Sequence, residues 1–99
     1  MKNKTLRVSL KANNRIFSIA DYIEHEIKMP ETAYRYAEKL ISFGQTLIDF
    51  PLKYPICKNE KLSKRNLRCA VFDKKWIFAY KVTENYVIIK DIIWGGSLV

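Results

Sequence analysis

The chain has 99 residues, a length that fits one domain with a single modest core, so we treat residues 1–99 as one domain. Its apolar content of 48% is ordinary for a globular protein. No apolar run approaches the roughly 18 residues of a membrane span. The N-terminal residues contain no apolar stretch of signal-peptide length. We therefore expect a cytoplasmic protein with no membrane partner.

The charge is strongly positive and unevenly distributed. Eighteen Lys and Arg against ten Asp and Glu give a net charge of +8. Residues 1–18 carry a net +5, residues 19–50 a net −3 and residues 51–99 a net +6. If the two basic ends meet in one sheet, the protein has a positive face that attracts phosphate backbones or an acidic protein segment. The alternative is a solvated basic surface that serves only solubility.

The first predicted elements are a strand and a helix. From Thr5 to Leu10 apolar and polar residues alternate, which is typical of a half-buried strand at a sheet edge. Asn13-Asn14 offers side chains that cap helices, and from Arg15 the apolar residues recur with a helical period. The resulting apolar stripe consists of Ile16, Ile19, Ala20, Ile23 and Ile27.

A second helix is predicted from Pro30 to Asp49, because proline fits the first turn of a helix but not its interior. Gly44 lies in its apolar stripe and is expected to permit a close approach to the first helix or the sheet. The two helices together form a hairpin that can cover one face of a small sheet. The only histidine, His25, lies off the stripe of the first helix and is predicted to be a surface residue.

A basic segment follows the helices. Phe50-Pro51 ends the second helix, and residues 52–66 have no clean periodicity, so we predict a surface loop. The loop leads to Arg68, and it either contacts a partner or is a solvated connector. Cys57 and Cys69 are expected to be reduced. The cations of this region are Lys53, Lys58, Lys61, Lys64, Arg65 and Arg68.

Residues 67–94 contain runs of β-branched and aromatic residues separated by two short polar connections, which predicts a three-stranded antiparallel meander. The strands are apolar enough to need cover on at least one face. Tyr80 is expected to lie in the core with its hydroxyl at the rim, in preference to acting as a stacking platform for a base. Trp94 is expected to pack against the residues that follow it.

Common catalytic and cofactor motifs are missing. The chain has only three glycines and no Gly-rich phosphate loop, and it contains no HExxH, CxxC or GxSxG pattern. We therefore predict no metal and no cofactor. An enzyme built from this chain would work with Lys, Arg and Tyr, which can stabilise the charge of a phosphate.

The order of elements and several short motifs resemble one family. The first helix reads NNRIFSIADYIEHEI, and the second opens with MPETA and closes with Phe50-Pro51. Arg68 lies on the first meander strand, followed by the strands IFAYKV and VIIKDII. This ordered set resembles the RelE/ParE superfamily of bacterial toxins from type II toxin–antitoxin systems, which includes plasmid stabilisation proteins. The resemblance covers nearly the whole chain.

The resemblance implies an α+β fold, in which an N-terminal strand joins an antiparallel sheet completed by the C-terminal meander, with the helix hairpin on one face. It also implies a growth-arresting toxin that is neutralised by a cognate antitoxin. The toxin would act on translation, by ribosome-dependent mRNA cleavage, or on DNA gyrase. The alternative is a degenerate toxin that only binds an antitoxin-like protein or nucleic acid.

The resemblance also bears on the site. A cleaving member would be a metal-independent endoribonuclease, with Arg68 as its catalytic residue and the loop cations as contacts to target or nucleic acid. Ile77 stands where those nucleases carry an arginine, and Trp94-Gly95-Gly96 stands where they carry a basic residue. ParE-type members, which poison gyrase, do not need that set of residues.

Overall fold

The computed structural model describes residues 4–95. A short strand is followed by two long helices, a one-turn helix and three further strands. In chain order the elements are β1 (Thr5–Val8), α1 (Leu10–Ile27), α2 (Pro30–Asp49), α3 (Glu60–Ser63), β2 (Arg68–Phe72), β3 (Trp76–Val82) and β4 (Tyr86–Trp94). None of the helices in this part of the chain is long and apolar enough to cross a membrane.

The strands form one sheet in the order β1-β4-β3-β2. The predicted meander is confirmed, because β2 pairs antiparallel with β3 and β3 antiparallel with β4. The expectation of a wholly antiparallel sheet was wrong at one edge, where β1 pairs parallel with β4. Alternation with period two looks the same in both orientations, so the sequence pattern did not reveal the direction of β1. The sheet is mixed, and the α+β class stands.

The first strand is shorter and the first helix longer than predicted. Ser9 is the N-cap of α1, and its Oγ accepts a hydrogen bond from the Ala12 N–H at 3.1 Å. The same hydroxyl donates to the Lys90 carbonyl of β4 at 2.8 Å. The chain therefore leaves the sheet at Ser9, and Leu10, which is 76% exposed, begins the helix. The predicted cap at Asn13-Asn14 was wrong because Ser9 caps the helix one turn earlier.

The second helix has the predicted bounds, and together with α1 it covers one face of the sheet. The main core lies between these helices and the strands. Its fully or nearly buried members are Ala12, Ile16, Ile19, Leu40, Leu47, Ala70, Phe78, Tyr80, Val87, Ile89 and Ile92. Tyr80 is completely buried, as predicted, and His25 on α1 is exposed, as predicted.

A smaller core lies on the opposite face of the sheet. Leu62 of α3 packs there with Leu67 and Ala79, beside the half-buried Ile93. The same cluster contains Cys57 and Cys69, which form a disulfide. The expectation of two reduced cysteines was wrong, because β2 and the loop beside it bring together two residues that are 12 positions apart. The predicted loop also contains a helical turn, α3, which is capped by Asn59.

The β2–β3 connection is a tight turn with an uncommon backbone conformation. Asp73 and Lys74 in this turn both have positive φ, as in a type I′ turn built without glycine. The Trp94 ring packs edge-on against Trp76 at a centroid distance of 5.3 Å, and Trp94 is 50% exposed. The predicted contact of Trp94 with the tail involves residues 96–99, which lie outside the described residues.

Gly44 brings α2 close to the sheet, and this makes a graded prediction. A Cβ at this position would lie 2.8 Å from Ile89 Cδ1 and 3.7 Å from Phe78 Cε2. In Gly44→Ala the Ile89 methyl group has to shift, and the gain in helix propensity of about 1 kcal/mol offsets this cost. Gly44→Leu cannot be accommodated and should lower the free energy of unfolding by about 3 kcal/mol. Urea unfolding measures both, with the exposed Gln45→Leu as the control; equal stability of the two leucine variants would contradict the close contact.

The disulfide predicts a loss of stability on reduction. Closing a loop of this size contributes about 2–3 kcal/mol to the free energy of unfolding, mostly by restricting the unfolded chain. The reduced wild type and the double variant Cys57→Ala/Cys69→Ala should therefore both unfold at a lower urea concentration than the oxidised wild type. Mass spectrometry of the unreduced protein checks the bond, and two thiols that react with a labelling reagent would show that it is absent.

Candidate interaction site around the basic loop

The basic loop is tied to the sheet by two side chains on the helix-covered face. Arg68 of β2 donates from Nη1 to the Tyr54 carbonyl at 2.6 Å. Tyr80 lies opposite Arg68 on β3, and its hydroxyl donates to the Pro51 carbonyl at 2.8 Å. A buried hydroxyl and a half-buried guanidinium thus both find acceptors in the loop backbone. The start of the loop is thereby fixed to the edge of the sheet.

The loop also pairs with β2 through its backbone. Ile56 forms an antiparallel bridge with Arg68. Cys57 N–H donates to the Leu67 carbonyl at 2.9 Å, and Cys69 N–H donates to the Pro55 carbonyl at 3.2 Å. The disulfide adds a covalent link at the same place. The loop therefore extends the sheet by a short strand-like segment along its β2 edge.

The loop cations lie on this anchored framework. Together with Arg68 they number six, against one acidic residue, Glu60, so residues 53–68 carry a net charge of +5. Lys53 Nζ lies 5.4 Å from the centroid of the Tyr54 ring, which is a cation–π distance. Lys64 Nζ lies 3.2 Å from Glu60 Oε1 in an exposed ion pair. Lys58, Lys61 and Arg65 are exposed.

Arg68 has a structural task in this arrangement. Its charge is only half-exposed, and its hydrogen bond to the Tyr54 carbonyl holds the loop in place. The predicted set of contact residues therefore divides into two groups. Lys53, Lys58, Lys61, Lys64 and Arg65 lie on the loop itself, whereas Arg68 lies beneath it.

The pKa values of two tyrosines are raised, namely Tyr80 beside the loop and Tyr36 beside the β2–β3 turn. Burial raises the pKa of Tyr80 above its ordinary value of 10.0, and the nearby charge of Arg68 partly opposes this. Burial also raises the pKa of Tyr36, and the Asp73 carboxylate, which accepts a hydrogen bond from its hydroxyl, adds to the rise. A tyrosine with a raised pKa is a poorer general base at neutral pH. Within residues 4–95 no group of three His, Cys, Asp or Glu side chains is placed to hold a metal ion.

A second cationic feature lies on the face of the sheet that the long helices leave uncovered. Arg7 of β1 and Lys81 of β3 flank Ile88 of β4 in one row across the sheet. Since adjacent strands are about 4.8 Å apart and β4 lies between β1 and β3, the Cα atoms of Arg7 and Lys81 are separated by about 10 Å. The Arg7 guanidinium lies 4.4 Å from the centroid of the Tyr86 ring and donates to its hydroxyl at 3.2 Å. The two basic ends of the chain thus meet in one sheet, which was the condition for a positive face.

Sequence reasoning did not single out Arg7 and Tyr86. The alternation of Thr5–Val8 places Arg7 on the polar side of an edge strand, and that was the available signal. The partner of Arg7 is 79 residues away, and only the parallel pairing of β1 with β4 brings the two side chains together.

Comparison with known proteins rests on structure alone. No family model matches the sequence, and no curated protein matches it. Among solved structures, a chain of the chromosomal ParDE TA system from P. aeruginosa matches with a TM-score of 0.71. The match covers 93% of this chain and 96% of that chain at 16% sequence identity. The two chains therefore share one overall fold, an α+β fold with a helix hairpin on one face of the sheet.

Proposed function

We propose that the protein is the toxin of a type II toxin–antitoxin pair. The observation that carries the proposal is the match over nearly the full length of both chains to a component of the ParDE TA system. The charge distribution supports it independently. A net charge of +5 on residues 53–68, together with Arg7 and Lys81 on the uncovered face, suits an acidic antitoxin segment or an anionic target.

Of the two targets that the resemblance implies, DNA gyrase suits this chain better than ribosome-bound mRNA. RNA cleavage needs a general base and several free cations around one phosphate. Here Arg68 is hydrogen-bonded to the Tyr54 carbonyl. The pKa values of Tyr80 and Tyr36 are raised above the ordinary tyrosine value. A toxin that acts by binding its target needs none of these groups, so the anchored basic loop can serve as a contact surface.

A non-catalytic binding module is the second candidate. The same engagement of Arg68 favours it, as does the pairing of Lys64 with Glu60. Such a protein would keep the antitoxin-binding surface and have no effect on growth. The two candidates therefore differ in the outcome of expression in a bacterial cell.

Induced expression in bacteria, with incorporation of labelled methionine and thymidine followed in parallel, tests the proposal. We expect growth arrest with an early fall in thymidine incorporation. An early fall in methionine incorporation would replace gyrase by translation as the target. Continued growth, with folded protein confirmed by circular dichroism of the purified material, would reject the toxin and leave the binding module.

The basic loop predicts a charge-specific loss of toxicity. The double variant Lys58→Ala/Lys61→Ala removes two exposed cations of the loop and should relieve growth arrest while leaving the fold intact. Arg35→Ala/Lys39→Ala removes the same charge from the exposed side of α2 and serves as the matched control. Growth curves at equal protein level compare the two. Equal relief by both would mean that only the net charge matters, and the loop would then not be the contact site.

Arg68 predicts a combined effect on stability and toxicity. Arg68→Ala removes a charged hydrogen bond to the loop and should lower the free energy of unfolding by about 2 kcal/mol while relieving growth arrest. Arg68→Lys keeps the positive charge but loses the planar guanidinium, so it should recover part of both effects. Full toxicity of a stably folded Arg68→Ala protein would remove Arg68 from the functional site.

A further inference from the structure

Residues 58–66, which we call the charged segment, carry most of the charge of the basic loop. They include one acidic residue, Glu60, and four of the five loop cations, namely Lys58, Lys61, Lys64 and Arg65. Within the described part of the chain, the hydrogen bonds of this segment run only to residues 59–67. The ion pair between Lys64 and Glu60 is also internal. In these residues, therefore, no hydrogen bond ties the charged segment to a strand of the sheet.

Two features attach the charged segment to the sheet. Leu62, which is 8% exposed, packs with Leu67 and Ala79 in the smaller core. The Cys57–Cys69 disulfide closes the base of the segment and holds the two Cα atoms 5.0 Å apart. Burial of one leucine offsets the conformational entropy of only about two ordered residues, whereas the segment has nine. The disulfide is therefore its main constraint.

The start of the loop is held in a different way. Tyr80 and Arg68 donate hydrogen bonds to backbone carbonyls of residues 51–54, and neither bond depends on the disulfide. At the base of the charged segment, the N–H groups of Cys57 and Cys69 form backbone hydrogen bonds along β2, the edge strand of the sheet. Hydrogen bonds at an exposed edge open more readily than those of a core strand. Breaking the disulfide thus leaves the start of the loop in place and lets the charged segment open.

The two sulfur atoms differ in their access to solvent. Cys57 is 4% exposed, whereas Cys69 is half-exposed. An external thiolate therefore reaches the Cys69 sulfur first. The displaced Cys57 thiol stays in the smaller core, where it behaves as a small apolar side chain. Reduction needs no opening of the main core, which lies on the other face of the sheet.

The reaction is a thiol–disulfide exchange with a dithiol as the reductant. Its thiolate attacks the Cys69 sulfur, the S–S bond breaks, and the Cys57 sulfur leaves as a thiolate that takes up a proton. The second thiol of the reductant loses its proton and attacks the mixed disulfide. It releases Cys69 as a thiolate, which is protonated in turn, while the reductant becomes a disulfide. Two electrons and two protons thus pass from the dithiol to the cysteine pair.

We propose that the Cys57–Cys69 pair is a redox switch for the charged segment. The oxidised pair holds the segment on the sheet, and reduction by a dithiol releases it while the rest of the domain stays folded. In the oxidised form the cations of the segment lie on a fixed framework. In the reduced form they lie on a mobile segment, which loses more conformational entropy on binding a partner. The ordering of the segment does not depend on which target the protein acts on.

Hydrogen exchange of the intact protein, with and without dithiothreitol, tests the proposal. The amides of Ser63, Lys64 and Leu67 donate hydrogen bonds within the loop. We expect reduction to speed their exchange by about 30-fold or more, because the opened segment is no longer confined to a closed ring. The variant Cys57→Ala/Cys69→Ala should exchange like the reduced protein and should not respond to dithiothreitol.

The amides of β3, an inner strand, report the stability of the whole domain in the same experiment. Faster exchange in β3 alone would show that the disulfide stabilises only the domain as a whole, and would overturn the proposal. Complete exchange of β3 on reduction would overturn it too, because the domain would then have unfolded.

The rate of reduction gives a second readout. Because the Cys69 sulfur is attacked in the folded protein, the rate should rise in proportion to the dithiothreitol concentration, as measured by mass spectrometry after alkylation of the thiols. A rate that levels off at the rate of global unfolding would contradict the proposal. Exchange of dithiothreitol for oxidised glutathione should restore the bond and the slow exchange, and failure to do so would also contradict it. Neither readout uses growth arrest, so the switch and the toxin activity are tested separately.

Discussion

The hydroxyl of Tyr80 sets a constraint on which the placement of the loop depends. The ring of Tyr80 is completely buried between the helices and the sheet, so its hydroxyl has to find an acceptor within the protein. It finds the Pro51 carbonyl, and Arg68, on the neighbouring strand, finds the Tyr54 carbonyl. The first turn of the basic loop is thereby fixed by core residues. Loop cations that are held on such a framework lose less conformational entropy when they bind a partner.

The structure separates two surfaces that differ in chemistry. The basic loop and the uncovered face of the sheet offer cations, including Arg7 beside Tyr86, and suit anionic targets or acidic segments. Where α2 meets β2, the rings of Phe43 and Phe72 lie 5.0 Å apart, beside the exposed cations Arg35 and Lys39.

The disulfide and the proline act on the same edge in opposite ways. The Cys57–Cys69 disulfide and the backbone hydrogen bonds beside it extend the sheet by a short strand-like segment of the loop. Pro55 then ends the pairing of that segment with β2, because it has no N–H to donate. Exposed strand edges are a risk for uncontrolled association, and most proteins keep them short. Backbone pairing between the loop and β2 reaches Cys69 and stops before Val71, whose side chain is 54% exposed.

Much of the fold followed from local patterns. The bounds of α2, the meander, the burial of Tyr80 and the exposure of His25 were predicted, because period, proline position and strand composition act over short distances. The N-cap of α1 at Ser9, four residues before Asn13, was not predicted from local patterns. Its hydroxyl does two things at once, capping α1 and bonding to the Lys90 carbonyl, and the second partner is 81 residues away.

The sequence by itself determined the element types, the fold resemblance and the basic character of residues 53–68, all of which are read from neighbouring residues. Only the tertiary structure decided the parallel direction of β1, the disulfide, the anchoring role of Arg68 and the contact between Phe43 and Phe72. Each of these joins residues on separate elements. Their contacts are set by how the helix hairpin crosses the sheet, and period and composition carry no information about that path.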